Sequence, residues 1–183
     1  MFKSANFSTK FVVDRVESVG ALLELAPDWK LQFDVESPDC SQSKNTPFPS
    51  EILETSKHRP DGVIWSMSCK IVIWIELTSP WEENMSIRHF EKQAKYNQLR
   101  IDCQNKGWRV YPFEVEVGCR GYTAESFLYA LRKLGFNRAE LKALKFTVEK
   151  TARSCSHAIF VHRYQKDSGG GAVSYTHLTL PTN

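Results

Sequence analysis

The feature that most constrains this chain is a pair of apolar runs separated by a short polar break. Gly62-Val63-Ile64-Trp65-Ser66 is followed, after Met67-Ser68-Cys69-Lys70, by Ile71-Val72-Ile73-Trp74-Ile75. Short runs rich in β-branched and aromatic residues read as strands. A two-residue turn at Ser68-Cys69 makes them an antiparallel hairpin in which Met67 faces Lys70 and Val63 faces Trp74. The second run contains no polar residue, so it is predicted to be a central strand buried on both faces.

The same register sets Asp61 opposite Glu76, with fourteen residues between them. Pro60 removes a ladder donor and marks an edge or a strand start, which puts Asp61 at the corresponding end of the hairpin. Directly opposed residues of an antiparallel pair have Cβ atoms roughly 4.5–5.5 Å apart. Two carboxylates that close repel each other unless a cation lies between them. A hard divalent ion such as Mg²⁺, held by one or two carboxylates and a substrate phosphate, suits the arrangement. The spacing therefore points to metal-assisted phosphodiester chemistry. The plainer alternative is an Asp beginning a turn and a Glu ending a strand, both solvated.

Around the hairpin the pattern is mixed. Val12, Val16, Val19, Leu22, Leu23 and Ala26 recur at helical spacing, predicting an amphipathic helix over 12–26 that Pro27 ends. Residues 31–35 alternate and predict a first strand, and 36–57, with Pro38, Pro47 and Pro49, predict a loop. Ser79-Pro80-Trp81-Glu82 has the form of a capping box, so a helix is expected from there to about Lys106, before Gly107. Residues 108–117 alternate again. Strand, long helix, strand is a βαβ unit, so this last strand is expected to run parallel to the 70–77 strand. Its Glu114 and Glu116 read as an exposed face. Helices are predicted over 123–134 and about 137–155, with Gly135-Phe136-Asn137 between them. The fold class is thus α/β, with a small mixed sheet: an antiparallel meander plus a parallel strand after a crossover helix, flanked by helices.

A chain of 183 residues with 42% hydrophobic and 25% charged content fits one globular domain with a sizeable core. The net charge of +3 says little alone. Its distribution says more, because Arg132, Lys133, Arg138, Lys142, Lys145, Lys150, Arg153, Arg163 and Lys166 face only Glu140 and Glu149 before Asp167. That stretch either follows a phosphate backbone or is a solvated helix face. The five cysteines are scattered without a CxxC pair, which argues against a disulfide framework or a structural zinc and for free thiols in a reducing compartment. No run is long enough to span a membrane and nothing resembles a signal peptide.

On the helix after Glu76, Ile87, Phe90, Ala94 and Ile101 share one face, which is expected to pack on the sheet. Trp81, Met85, Leu99 and Cys103 form an opposite stripe with Tyr96 at its margin, and it also carries Arg88 and Lys92, with Lys95 at its edge. A lysine there either snorkels to water or stands beside a scissile phosphate. His58 and His89 read as surface or core residues.

These residues resemble the PD-(D/E)XK nuclease superfamily over roughly residues 12–117, with the motif-bearing part from Arg59 to Tyr96. Asp61 fits the family's Asp and Glu76 its (D/E). Arg-Pro-Asp, fourteen residues and Glu is similar to the restriction-like endonuclease domain of site-specific non-LTR retrotransposons. Glu-Leu-Thr-Ser-Pro-Trp-Glu-Glu-Asn-Met with Lys-Gln-Ala-Lys-Tyr behind it looks like segments beside reverse transcriptases in invertebrate genomes. The resemblance implies a Mg²⁺-dependent (or Mn²⁺-dependent) DNA endonuclease that nicks target sites for a mobile element. Asp61 and Glu76 would hold the metal, with the Leu77 carbonyl as a further ligand, and Arg59, Arg88, Tyr96 and Arg120 would approach nucleic acid. The family's lysine two positions after the acid is Thr78 here. Some members carry it on the following helix, where Lys92, preferred because it coincides with a family Gln-xxx-Tyr position, and Lys95 are the candidates. Glu17 or Glu24 could add a ligand, though a solvated helix acid is the simpler reading of either. If no lysine reaches the metal, a non-catalytic DNA- or protein-binding module is implied instead. DNA as partner, association with a reverse transcriptase and an intracellular, nuclear location follow from the same resemblance. Residues 1–167 are read as the domain, and 168–183 as an adapter-derived tail outside the fold.

Overall fold

The computed structural model describes residues 21–33 and 47–167, the side chains of 164–167 excepted. Strands β1 (Trp29–Phe33), β2 (Gly62–Ser66) and β3 (Ile71–Thr78) form an antiparallel meander, and β4 (Arg109–Glu116) joins β3 in parallel. Their order across the sheet is β1-β2-β3-β4. Helix α1 (Met85–Asn105) connects β3 to β4, and helices α2 (Glu125–Leu134) and α3 (Arg138–Asp167) follow. The protein is α/β with a small mixed sheet flanked by helices.

The hairpin has the expected register, with Val63 opposite Trp74 and Gly62 opposite Ile75. Its connection is longer than expected. Pairing stops at Ser66 and Ile71, and Met67–Lys70 form a four-residue turn in which Lys70 takes a left-handed φ of 48°. The Asp28 carboxylate fixes that turn: it accepts from the Ser66 hydroxyl (2.5 Å), the Ser68 hydroxyl (2.6 Å) and the Ser68 amide (3.0 Å). These hydrogen bonds hold the Asp28 carboxyl well below the usual carboxylate range.

β3 is buried on both faces, as its composition demands. Val72 and Trp74 join Val63, Trp65, Tyr96, Leu99 and Cys103 under α1. Ile71 and Ile73 join Phe113, Val115, Ala130 and Leu134 under α2. Gly135 closes α2 at φ 110°, where its amide and that of Phe136 cap the Leu131 carbonyl, both at 3.1 Å. A side chain there would also meet Ala21, since an added Cβ would lie 2.4 Å from the Ala21 Cβ.

Several expectations are corrected. Of the helix expected over 12–26, only 21–26 is described, and it holds a single 3-10 turn, Leu22–Leu25. Residues 12–20 with Glu17, residues 34–46 and the tail from 168 lie outside the described residues. The capping box does not form. A 3-10 turn, Glu82–Asn84, precedes α1, and neither Trp81 nor Asn84 makes a side-chain cap. Glu82 is drawn away because it accepts from the Arg120 amide (2.9 Å) and Arg120 Nε (2.6 Å). Gly118 leaves it room, since an added Cβ there would lie 2.5 Å from Glu82 Oε1. The two stripes of α1 are exchanged. Met85, Tyr96, Leu99 and Cys103 face the sheet, while Ile87, Phe90, Ala94 and Ile101 are exposed. α3 runs past the expected end to Asp167.

Candidate active site

Chain geometry at the end of β3 fixes the site. Asp61 immediately precedes β2, and its Oδ2 accepts the Leu77 amide of β3 at 2.7 Å. This anchors Asp61 beside Glu76, in line with the register extended from Gly62 and Ile75. Glu76 is only 3% exposed. A carboxylate so buried needs partners, and α1 supplies them. Lys92 Nζ lies 2.5 Å from Glu76 Oε1, and Lys95 Nζ 3.5 Å from the same atom. The Tyr96 hydroxyl donates to Glu76 Oε2 at 2.7 Å. It also lies 2.9 Å from Lys95 Nζ and 3.0 Å from the Arg59 carbonyl.

This need also explains the exchanged stripes. A helix face with Lys92 and Tyr96 can cover a buried acid, and one with Ile87 and Phe90 cannot. Lys92 and Lys95 both reach the acid, Lys92 more closely, and the site gathers its lysines from the helix where Thr78 leaves the strand without one. The Thr78 hydroxyl oxygen is buried and finds no hydrogen-bond partner among the described residues.

Burial pushes the Asp61 carboxyl above its ordinary range, opposed by the Leu77 amide and seconded by the charge of Glu76. Burial also raises the Tyr96 hydroxyl, aided by its bond to Glu76, so it stays a donor.

Glu114 and Glu116 are not an exposed face, which corrects the expectation from alternation. They are 7% and 2% exposed and lie beneath α1, with Glu114 level with Glu76 on the neighbouring strand. Glu116 is held by His89 Nδ1 (2.9 Å) and by the Ser126 hydroxyl (2.6 Å). Burial raises the Glu114 carboxyl, which the Glu116 and Glu76 charges reinforce and His89 opposes. Sequence reasoning missed this group. The signal was the parallel pairing, because a parallel sheet is covered on both faces and acids at alternate positions of β4 must then be buried.

The remaining candidates are placed as follows. The Arg59 carbonyl lies 3.0 Å from the Tyr96 hydroxyl, and its side chain is at the surface. Arg88 is exposed and paired with Glu91 at 2.6 Å. Arg120 is exposed and paired with Glu82 (2.6 Å) and Glu83 (3.0 Å), so its charge is already matched. Leu77 meets Asp61 through its amide. Glu24 is exposed on the turn whose Leu22 packs under α2, on the opposite side of the sheet from Glu76. The basic residues of α3 from Arg138 to Arg163 are solvent-facing, apart from a half-buried Lys145.

A cation at the end of β3 would meet only oxygen donors, which suits a hard divalent ion. No group of three or more His, Cys, Asp or Glu converges to hold one among the described residues. The protein's share would therefore be Asp61, Glu76 and backbone, with water and phosphate completing the shell, the habit of Mg²⁺. No described helix is long and apolar enough to cross a membrane, and the four described cysteines form no disulfide. No protein-family model matches the chain, and no curated protein or solved structure matches it either.

Proposed function

We propose that the chain is a metal-dependent DNA endonuclease of the PD-(D/E)XK type, hydrolysing phosphodiester bonds, with target-site nicking for a mobile element beside a reverse transcriptase in the nucleus as its setting. The observation that carries this reading is the contact of Lys92 with Glu76 next to Asp61, which returns a lysine to a two-carboxylate site. Asp61 and Glu76 would hold Mg²⁺ or Mn²⁺. When bound, the ion would supply Lewis acidity and a water of lowered pKa. Tyr96 orients the Glu76 carboxylate by its hydrogen bond. The Lys92 ammonium would meet charge developing on a phosphate oxygen, and such preorganised donors are worth roughly 10²–10³ in rate.

A second reading is a binding module without catalysis. It is favoured by the saturation of Glu76, whose two oxygens already meet Lys92, Lys95 and Tyr96. Nicking of supercoiled plasmid separates the two. The chain should nick with Mg²⁺ or Mn²⁺ and not with EDTA, and Asp61→Ala and Glu76→Ala should abolish nicking while retaining helical circular dichroism. Nicking that survives both substitutions would sink the assignment, and a gel shift without nicking would select the binding module.

A further inference from the structure

A groove of about 490 Å³ runs between α1 and β4, beside the carboxylates. Its size falls in the range of small-ligand sites. Phe90, Gln93, Asn97 and Arg100 line one wall from a single face of α1, and Glu114 lines the opposite side. The floor is Trp74 and Tyr96. Tyr96 belongs to both places, since its ring lines the groove and its hydroxyl holds Glu76. Trp74 is wholly buried, and its indole N–H has no acceptor among the described residues. Phe90 is 58% exposed, an unusual place for a phenyl ring on a helix that has already buried its other stripe.

We propose that this groove takes one unpaired nucleobase of the strand whose phosphate lies at Asp61 and Glu76. The inference rests on the nuclease reading for the position of that phosphate. Three features select a base. Phe90 offers an exposed aromatic face, and stacking is the sequence-tolerant way proteins hold unpaired bases. Gln93 and Asn97 stand one helical turn apart and carry planar amides, the groups that pair with base edges. The Asn97 carbonyl oxygen accepts from Arg100 at 3.2 Å, which fixes the amide and leaves its NH₂ as a donor. An aliphatic ligand would leave these amides unanswered. A base in the groove would enter by leaving its duplex stack, or from a strand already single, so the substrate class is DNA with an unpaired position beside the scissile bond.

The test uses the whole chain in EDTA, so that binding is read without cutting. Two fluorescent single-stranded oligonucleotides of equal length serve as probes, one carrying all its bases and one with a central run of abasic sites. The native chain should bind the complete strand at least about tenfold more tightly. Phe90→Ala and Asn97→Ala alter exposed side chains and should keep the fold by circular dichroism. Each should weaken binding of the complete strand about five- to tenfold and leave the abasic strand unchanged. Equal affinity of the native chain for both strands overturns the proposal, as does an equal loss on both strands in the variants. Plasmid nicking with Mg²⁺ in parallel keeps the two readings apart. Nicking without base dependence removes the groove and spares the nuclease. Base dependence without nicking removes the nuclease and leaves the groove to the binding module.

Discussion

On the α2 side of the sheet, β3 and β4 present Ile71, Ile73, Phe113 and Val115, all apolar and all buried. On the α1 side the same strands present Val72 and Trp74, and then Glu76, Glu114 and Glu116 at equal depth. The two faces share a backbone, a register and a degree of burial, and they differ only in what is buried. The α2 face is what a stable sheet requires. The α1 face carries three carboxylates that burial penalises, each answered by a residue of α1 or α2 or left raised in pKa. Stability alone gives no reason to bury them, and that supports the proposed reading of the carboxylate end as the working site.

The largest expected difference between the faces is energetic. Ile73→Ala removes a fully buried side chain from the α2 face and should lower unfolding free energy by about 2–5 kcal/mol. Glu76→Gln, equally deep, should change it by less than about 1 kcal/mol. It loses the Lys92 pair, whose lysine can turn to water, and it relieves repulsion with Asp61 and Glu114. Denaturant melts of both variants measure this, and a loss at Glu76→Gln as large as at Ile73→Ala would make the acid a structural residue.

The next effect separates the two lysines. Lys92→Met should reduce nicking about a hundredfold, and Lys95→Met, whose ammonium stands at 3.5 Å and is about half exposed, by less than about tenfold. Single-turnover nicking rates decide it, and reversed magnitudes would move the catalytic role to Lys95.

Much of this was legible in the residues before the fold. The hairpin register followed from two apolar runs and a turn, because the centre of the turn fixes which residues of the two runs meet. The faces of α1 were not legible, since both stripes are half apolar and the periodicity of a helix does not say which half meets the sheet. A buried acid decided it, and Glu76 becomes buried only when β4 and α1 are both in place. The same dependence hid Glu114 and Glu116. Alternation along β4 marks two faces, and only α1 and α2 packed on them decide that neither is wet at its end. The partners of Arg120 were hidden for a different reason. Glu82 and Glu83 are distant in sequence and meet it only because the turn after β4 folds back onto the start of α1.

A smaller effect tests the carboxylate face through its ligand. A divalent ion that binds the folded site and not the unfolded chain stabilises by RT ln(1 + [L]/Kd), about 1.4 kcal/mol at tenfold excess. Mg²⁺ should therefore raise the melting temperature of the native chain and of Ile73→Ala, and leave Asp61→Asn and Glu76→Gln unmoved. A rise retained in both carboxylate variants would locate the ion elsewhere.

The smallest expected effect concerns the far end of that face. The His89 imidazole has a raised pKa, first from its hydrogen bond to Glu116, against burial, with the Glu116 and Glu114 charges adding to it. Ser126 holds the other Glu116 oxygen, so the acid is fixed in place when the histidine titrates. A group whose folded pKa lies above its unfolded value contributes stability that is complete below the unfolded pKa and is lost as pH rises through the folded one. For His89 the loss begins near the ordinary value of 6.5 and continues above it. The raised Glu114 carboxyl has the same sign but begins its loss from 4.5, so its window starts lower. His89→Gln should flatten the upper window by about 1 kcal/mol, the scale of one hydrogen bond, and leave the lower window in place. Chemical denaturation at a series of pH values reads both. If the upper decline persists in His89→Gln, the titration belongs to another group, and the Glu116 pair is held by geometry and not by charge.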